Sequence, residues 1–303
     1  MSPPPTVSVG SFARAPQRGL DDEWRAEAAV LGVPTDVAVG FRPGARWAPR
    51  ALRDASLRYA LQPEGFFDLA RAAAVLADFE LVDAGDVALT GLGGEAARER
   101  ITQAAEALRE RVEMSVFLGG DHSISFPLLR AFADVPELFV VQLDAHLDFS
   151  DLRGEDRYSN GSPFRRAVEA IPTLAHITVV GLRGIRTDPE AFAAARARGH
   201  TLVTAAEVHD DLEAAIERLP TGRSVYLSFD VDVLDPSVLP GTGSPEVDGL
   251  AYRQVEALVR AIATRNEVLG ADFVELAPAL DPSGLSALVT ARAVIDLFAA
   301  VRG

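Results

Sequence analysis

Seven short stretches of the chain are near-continuously apolar and rich in β-branched or aromatic residues: 28–33, 114–118, 138–143, 177–182, 201–204, 224–229 and 268–273. Apolar runs without alternation are the mark of strands covered on both faces, which is the habit of a parallel sheet. Between them lie Ala-, Leu-, Glu- and Arg-rich segments at 94–112, 125–133, 188–198, 211–219, 251–265 and 286–301. Several carry apolar residues three and four apart, as helices do. Strand alternating with helix predicts a three-layer αβα sandwich around a central, mainly parallel sheet. Residues 1–24 read as an irregular N-terminal segment and 25–303 as a single domain, with no internal repeat and no low-complexity linker.

At 303 residues and 48% hydrophobic, the chain can bury a large core. A formal charge of -15 leaves no basic stripe to neutralise phosphates, so nucleic acid and anionic membranes are not expected partners. A small cationic substrate suits that charge better. The absence of cysteine excludes disulfides, thiolate metal sites and a thiol nucleophile, and leaves His, Asp and Glu as metal ligands. The first residues, rich in proline, do not read as a secretory signal, and no apolar run is long enough to span a bilayer. The expectation is a cytoplasmic protein.

Three of the predicted strands run directly into polar clusters, where open parallel sheets place their ligand crevices. Strand 114–118 leads into Gly119, Gly120, Asp121, His122 and Ser123. Strand 138–143 leads into Asp144, Ala145, His146, Leu147 and Asp148, and strand 224–229 into Asp230, Val231 and Asp232. Alternate residues of an extended segment project to one side, so Asp144, His146 and Asp148 can converge, as can Asp230 and Asp232. Singly, each cluster reads as easily as a helix cap or a satisfied polar residue. Together, two imidazoles and four carboxylates form a hard donor set suited to manganese, and two divalent ions would neutralise charges that otherwise repel.

These clusters, GGDHS at 119–123, DAHLD at 144–148 and SFDVDVLDP at 228–236, resemble the metal-binding signatures of ureohydrolases, the arginases and agmatinases. GFRPGAR at 40–46, DAGDV at 83–87, PGTGSPEVDGL at 240–250 and VELAP at 274–278 extend the likeness over nearly the whole chain. The resemblance implies two Mn²⁺ per subunit, one held by His122, Asp144, Asp148 and Asp230, the other by Asp144, His146, Asp230 and Asp232. It further implies attack of hydroxide on a guanidinium carbon, proton transfer by Asp148, a guanidinium-holding carboxylate at Glu275, and a homo-oligomer, trimer or hexamer. Arg42, Gly44 and Arg46 are read as loop-shaping, and His176, His200 and His209 as structural or exposed.

One position departs from the pattern. Many ureohydrolases carry a proton-transferring histidine shortly after DAHxD, where this chain has Asn160, which can hydrogen-bond but cannot titrate. The segment FSDLRGEDRYSNGSPF at 149–164 also lacks the Asn-, Thr- and Ser-rich loop of arginases. The expected reaction is therefore agmatine to putrescine and urea, with Asp151, Glu155 and Asp156 attracting the dication and SFARAP at 11–16 resembling agmatinases. Alternatives are guanidinobutyrate or guanidinopropionate, with Arg153 or Arg157 holding the carboxylate, arginine itself, or a metal-binding scaffold without catalysis.

Overall fold

A computed structural model describes residues 10–69 and 71–303. Ten strands are assigned among them: β1 (Ala26–Gly32), β2 (Phe66–Asp68), β3 (Ala73–Val75), β4 (Leu81–Asp86), β5 (Val112–Leu118), β6 (Leu138–Leu143), β7 (Leu174–Leu182), β8 (Thr201–Thr204), β9 (Ser224–Asp230) and β10 (Glu267–Val274). Eight form one sheet in the order β4-β1-β5-β10-β9-β6-β7-β8, with every neighbouring pair parallel. β2 and β3 form a separate antiparallel hairpin.

Period-two alternation assigns the side chains of each strand to two different cores. Val30, Val116, Leu227 and Phe229 face one layer. There they meet Leu52 of α1 (Ala48–Ser56), Val208 of α6 (Ala205–Asp210), Ile216 of α7 (Leu212–Glu217), Leu258 of α8 (Tyr252–Arg265) and Phe298 of α9 (Leu285–Arg302). Leu31, Phe117, Val140 and Tyr226 face the other, against α2 (Gly94–Arg109), α3 (Ser125–Arg130), α4 (Pro163–Ala170) and α5 (Pro189–Ala197), which contribute Leu108, Leu128, Phe164 and Ala195. The expected three-layer αβα sandwich is the fold.

Of the segment expected to be irregular, residues 1–9 lie outside the described residues. Residues 12–14 form one turn of 3₁₀-helix, and Phe12 is fully buried in the first core. The Phe12 and Ala13 amides donate to Asp83 Oδ2 at 2.7 Å and Ser56 Oγ at 2.8 Å. Those bonds tie the segment to β4 and α1. No helix among the described residues is long and apolar enough to cross a membrane.

Candidate metal centre

β5, β6, β9 and β10 lie side by side in the sheet as β5-β10-β9-β6, so the residues that follow their C-terminal ends meet in one crevice. After β5 the chain turns sharply at Gly120, where a β-carbon would fall 1.8 Å from the Thr35 carbonyl oxygen. Only glycine admits that approach, which lets Asp121 N–H donate to the same oxygen at 2.9 Å. Asp121 then caps the 3₁₀ turn His122–Ile124 by accepting from Ser123 N–H. Asp230 caps the turn Val231–Val233 in the same way, accepting from Asp232 N–H at 2.9 Å. These aspartates act as caps, and the turns they cap carry His122 and Asp232 to the crevice.

His122 is fully buried. Its Nδ1 lies 2.9 Å from Asp148 Oδ2, 3.1 Å from Asp230 Oδ2 and 3.2 Å from Asp144 Oδ2, yet it makes no hydrogen bond. The proton on the ring is assigned by the other nitrogen. Nε2 lies 2.9 Å from Ser228 Oγ, whose single hydrogen is given to Asp272 Oδ1 at 2.7 Å. Nε2 must therefore be the donor, and a neutral ring turns the Nδ1 lone pair toward three carboxylate oxygens. Lone pair against carboxylates is repulsive unless a cation lies between them. Burial works to lower the His122 pKa, but Asp144, Asp148 and Asp230 outweigh it and drive it well up, so without a metal a proton takes the cation's place. The donor set fits a divalent ion.

A second set adjoins the first. His146 Nδ1 lies 3.0 Å from Asp232 Oδ2 and 3.5 Å from Asp144 Oδ1. Asp144, His146 and Asp232 offer ligand atoms within 4.8 Å of one another, as do His122, Asp144, Asp148 and Asp230. Asp144 belongs to both groups, while Asp230 falls in the first, its Oδ1 accepting from Asp232 N–H. The structure thus gathers the six residues into two sets with Asp144 shared, and Asp230, expected in both, falls in the first alone.

Glu275 follows β10 and is 4% exposed. Its Oε1 accepts from His122 N–H at 2.9 Å and from Asn160 Nδ2 at 3.1 Å. Burial, with Asp121 adding, pushes its pKa up to about 8. Oε2 accepts no hydrogen bond among the described residues and faces Gly243, where a β-carbon would sit 3.6 Å away. Asp148 and Glu275 both adopt positive φ, 48° and 64°, in a region costly for residues other than glycine and common at functional sites.

The profile of the Arginase family matches residues 26–299. The chain belongs to the arginase family. Human guanidino acid hydrolase, mitochondrial, is 32% identical over 97% of this chain and 83% of its own length. Chicken agmatinase, mitochondrial, is also 32% identical, over 98% of this chain and 87% of its own. The solved proclavaminate amidinohydrolase of Streptomyces clavuligerus superposes with a TM-score of 0.86 at 30% identity, covering 97% of both chains. Members of the arginase family bind a binuclear metal centre, and the two groups described above are a cluster of possible ligands in this chain.

Other polar residues of this arginase-family site escaped the sequence reading. Ser228 and Asp272 orient His122, and Gln142 Nε2 donates to Asp144 Oδ2 at 2.7 Å and to the His146 carbonyl oxygen at 3.2 Å. All three are buried, and each is a polar side chain inside an otherwise apolar strand. That was the available signal, since a polar group in a two-sided strand must have a partner. Arg42 and Gly44 shape the loop beside the crevice, at φ 44° and 151°, and Arg46 pairs with Asp36. His176 and His200 pack on each other edge to face, and His209 sits beside Gln254 and Asp248.

Proposed function

We propose that this protein hydrolyses the guanidino group of a small substrate to urea and an amine. The observation that carries the reading is the buried His122 Nδ1, 2.9 to 3.2 Å from three carboxylate oxygens, on a residue whose N–H donates to the buried Glu275. His122, Asp144, Asp148 and Asp230 would hold one ion, and Asp144, His146 and Asp232 the other. Six oxygen and imidazole donors without thiolate favour manganese. Such ions, when bound, supply a water acidic enough to ionise near neutral pH and offset the carboxylate charge.

The chain's own residues do the rest. Glu275, with Oε1 taken by His122 N–H and Asn160, presents Oε2 to the planar guanidinium and orients it by a charge-assisted contact. Asp148 turns Oδ2 to His122 and leaves Oδ1 on the cavity side near Gly161. From there it accepts the proton of the attacking water and delivers it to the leaving amine. Asn160 donates to Glu275 and carries no titrating proton, so proton traffic falls to Asp148 and solvent.

Agmatine is the substrate favoured by sequence, and the likeness to an agmatinase supports it. The likeness to a guanidino acid hydrolase supports an acid equally, so the choice turns on loop 150–157. There Asp151 pairs with Arg166 at 2.5 Å and Arg157 at 3.5 Å, and Asp156 Oδ1 accepts from Tyr158 N–H. Asp151 and Asp156 are thus engaged with the protein itself, while Glu155 is exposed with no ion pair among the described residues.

The test is reconstitution with Mn²⁺, metal content on the same sample, and urea release from agmatine and a panel of guanidino acids. Asp230→Asn should lose at least one ion and urea release. Wild-type turnover by that variant with two ions bound would sink the reading.

A further inference from the structure

Beside Asp148 and His146 opens a cavity of about 280 Å³ whose wall includes Arg153 and Arg186. Neither arginine has a carboxylate within ion-pair distance among the described residues, whereas Arg157, Arg165 and Arg166 of the neighbouring loop and helix are all paired. Asp188, the remaining acid in the wall, is occupied as the cap of α5, accepting from Glu190 N–H at 2.9 Å. Arg153 is held in place. Its backbone exchanges hydrogen bonds with Asp156 across a tight turn, at 2.9 and 3.3 Å, and Nη1 donates to Asn160 Oδ1 at 3.2 Å. Its guanidinium lies between two glycines: a β-carbon at Gly40 would be 4.0 Å from Cζ, and one at Gly161 would be 3.2 Å from Nη1. That same Gly161 position is 3.9 Å from Asp148 Oδ1, so Arg153 and Asp148 face each other across one glycine.

We infer that Arg153, with Arg186 at the mouth, holds a carboxylate on the substrate's tail, so that the substrate is a short ω-guanidino acid and not a dication. The inference rests on the guanidino-hydrolase reading above and specifies the substrate class of that same site. Asn160 links the two ends: its Nδ2 donates to Glu275 Oε1 and its Oδ1 accepts from Arg153 Nη1. Two anchors bridged by a single amide side chain lie close together, which favours a short acid of three or four carbons over a longer one. An ammonium in the same place would meet two unpaired guanidiniums, while a carboxylate gains a bidentate, charge-assisted partner.

The experiment compares kcat and KM for 3-guanidinopropionate, 4-guanidinobutyrate, its neutral amide 4-guanidinobutanamide, and agmatine. It uses the Mn²⁺-loaded wild type, Arg153→Gln, Arg186→Gln and the control Arg157→Gln. The wild type should prefer an acid over both its amide and agmatine by at least about 10-fold in kcat/KM. Arg153→Gln should raise KM for the acid about 10–100-fold with kcat little changed, the pattern of lost uniform binding, while Arg157→Gln leaves it unaltered. If Arg153→Gln does not fold, the wild-type ratio of acid to amide decides alone. Urea mainly from agmatine, or equally from acid and amide, overturns the carboxylate assignment and leaves the hydrolase reading standing. Urea from none of them, with two ions bound, overturns the hydrolase reading and the assignment with it.

Discussion

Ser228 has one hydrogen, and giving it to Asp272 obliges His122 to keep its own on Nε2. Ser228→Ala removes the acceptor that fixes this tautomer and ring orientation. We expect Mn²⁺ affinity at the His122 site to fall about 10–100-fold, as for other lost outer-shell partners, measured by metal titration of the purified apoprotein. Unchanged affinity would mean that packing against Phe164, 5.3 Å away edge to face, orients the ring unaided. Glu275→Gln keeps shape and hydrogen bonding but discards the charge. Both ions should remain, and kcat/KM for the preferred guanidino substrate should drop about 10–100-fold, the worth of a hydrogen bond to a charged group. Loss of metal in that variant would instead place Glu275 in the ion site. The proposed ligands were legible from sequence because each ends an apolar strand. Arg153 could be singled out but not located, because its relation to Asn160 and Asp148 depends on the path of a loop, which no periodicity encodes.

At the level of elements, the strands inside the sheet announced themselves as apolar runs, as did the edge strand β8, whereas the opposite edge strand did not. β4 reads Leu-Val-Asp-Ala-Gly-Asp, two apolar residues and then polar ones, because it is an edge strand whose far end is spent on holding Arg53. Arg53 of α1 donates to Asp83 at 2.8 and 3.0 Å and to Asp86 at 2.6 Å, and Asp83 also accepts from Phe12 N–H. Arg53→Met leaves Asp83 buried without its cation and should cost about 3–5 kcal/mol in chemical denaturation. The pair Arg53→Met with Asp83→Asn should cost less than Arg53→Met alone. α4 escaped notice because its eight residues begin at Pro163 inside a polar loop, too short for a helical period to stand out. Between β7 and β8, His200 Nδ1 accepts from Ile177 N–H at 3.3 Å and so must be unprotonated. Burial, then His176 and Arg198, lowers its pKa to about 4. The unfolded chain binds this proton near the ordinary histidine value and the folded one does not, so the contribution is full above about pH 6.5 and is lost as pH falls toward 4. His200→Gln should flatten the decline in melting temperature of the metal-free protein between pH 7 and pH 5. An unaltered decline would assign it to other groups.

Across the whole molecule, the sandwich and the place of the crevice followed from seven apolar runs, whereas the order of strands in the sheet was not encoded in any of them. Metal should also register globally. An ion that binds the folded chain alone adds about 2.7 kcal/mol of stability at a free concentration 100 times its Kd. Mn²⁺ should therefore raise the melting temperature by several degrees and a chelator reverse it; Asp144→Asn, altering the shared carboxylate, should blunt the rise more than the same change at Glu246, which lies 3.5 Å from His146 Nε2 but outside both ligand groups. The strand order carries a further consequence. β10 lies between β5 and β9, so the strands made before it fall into two blocks, β4-β1-β5 and β9-β6-β7-β8, that no ladder joins. During synthesis, until residues 267–274 leave the ribosome, the nascent chain holds two half-sheets with open facing edges, an invitation to mispairing. The strand that closes that gap is the one that delivers Glu275, so this buried carboxylate arrives in the crevice only with the event that completes the sheet.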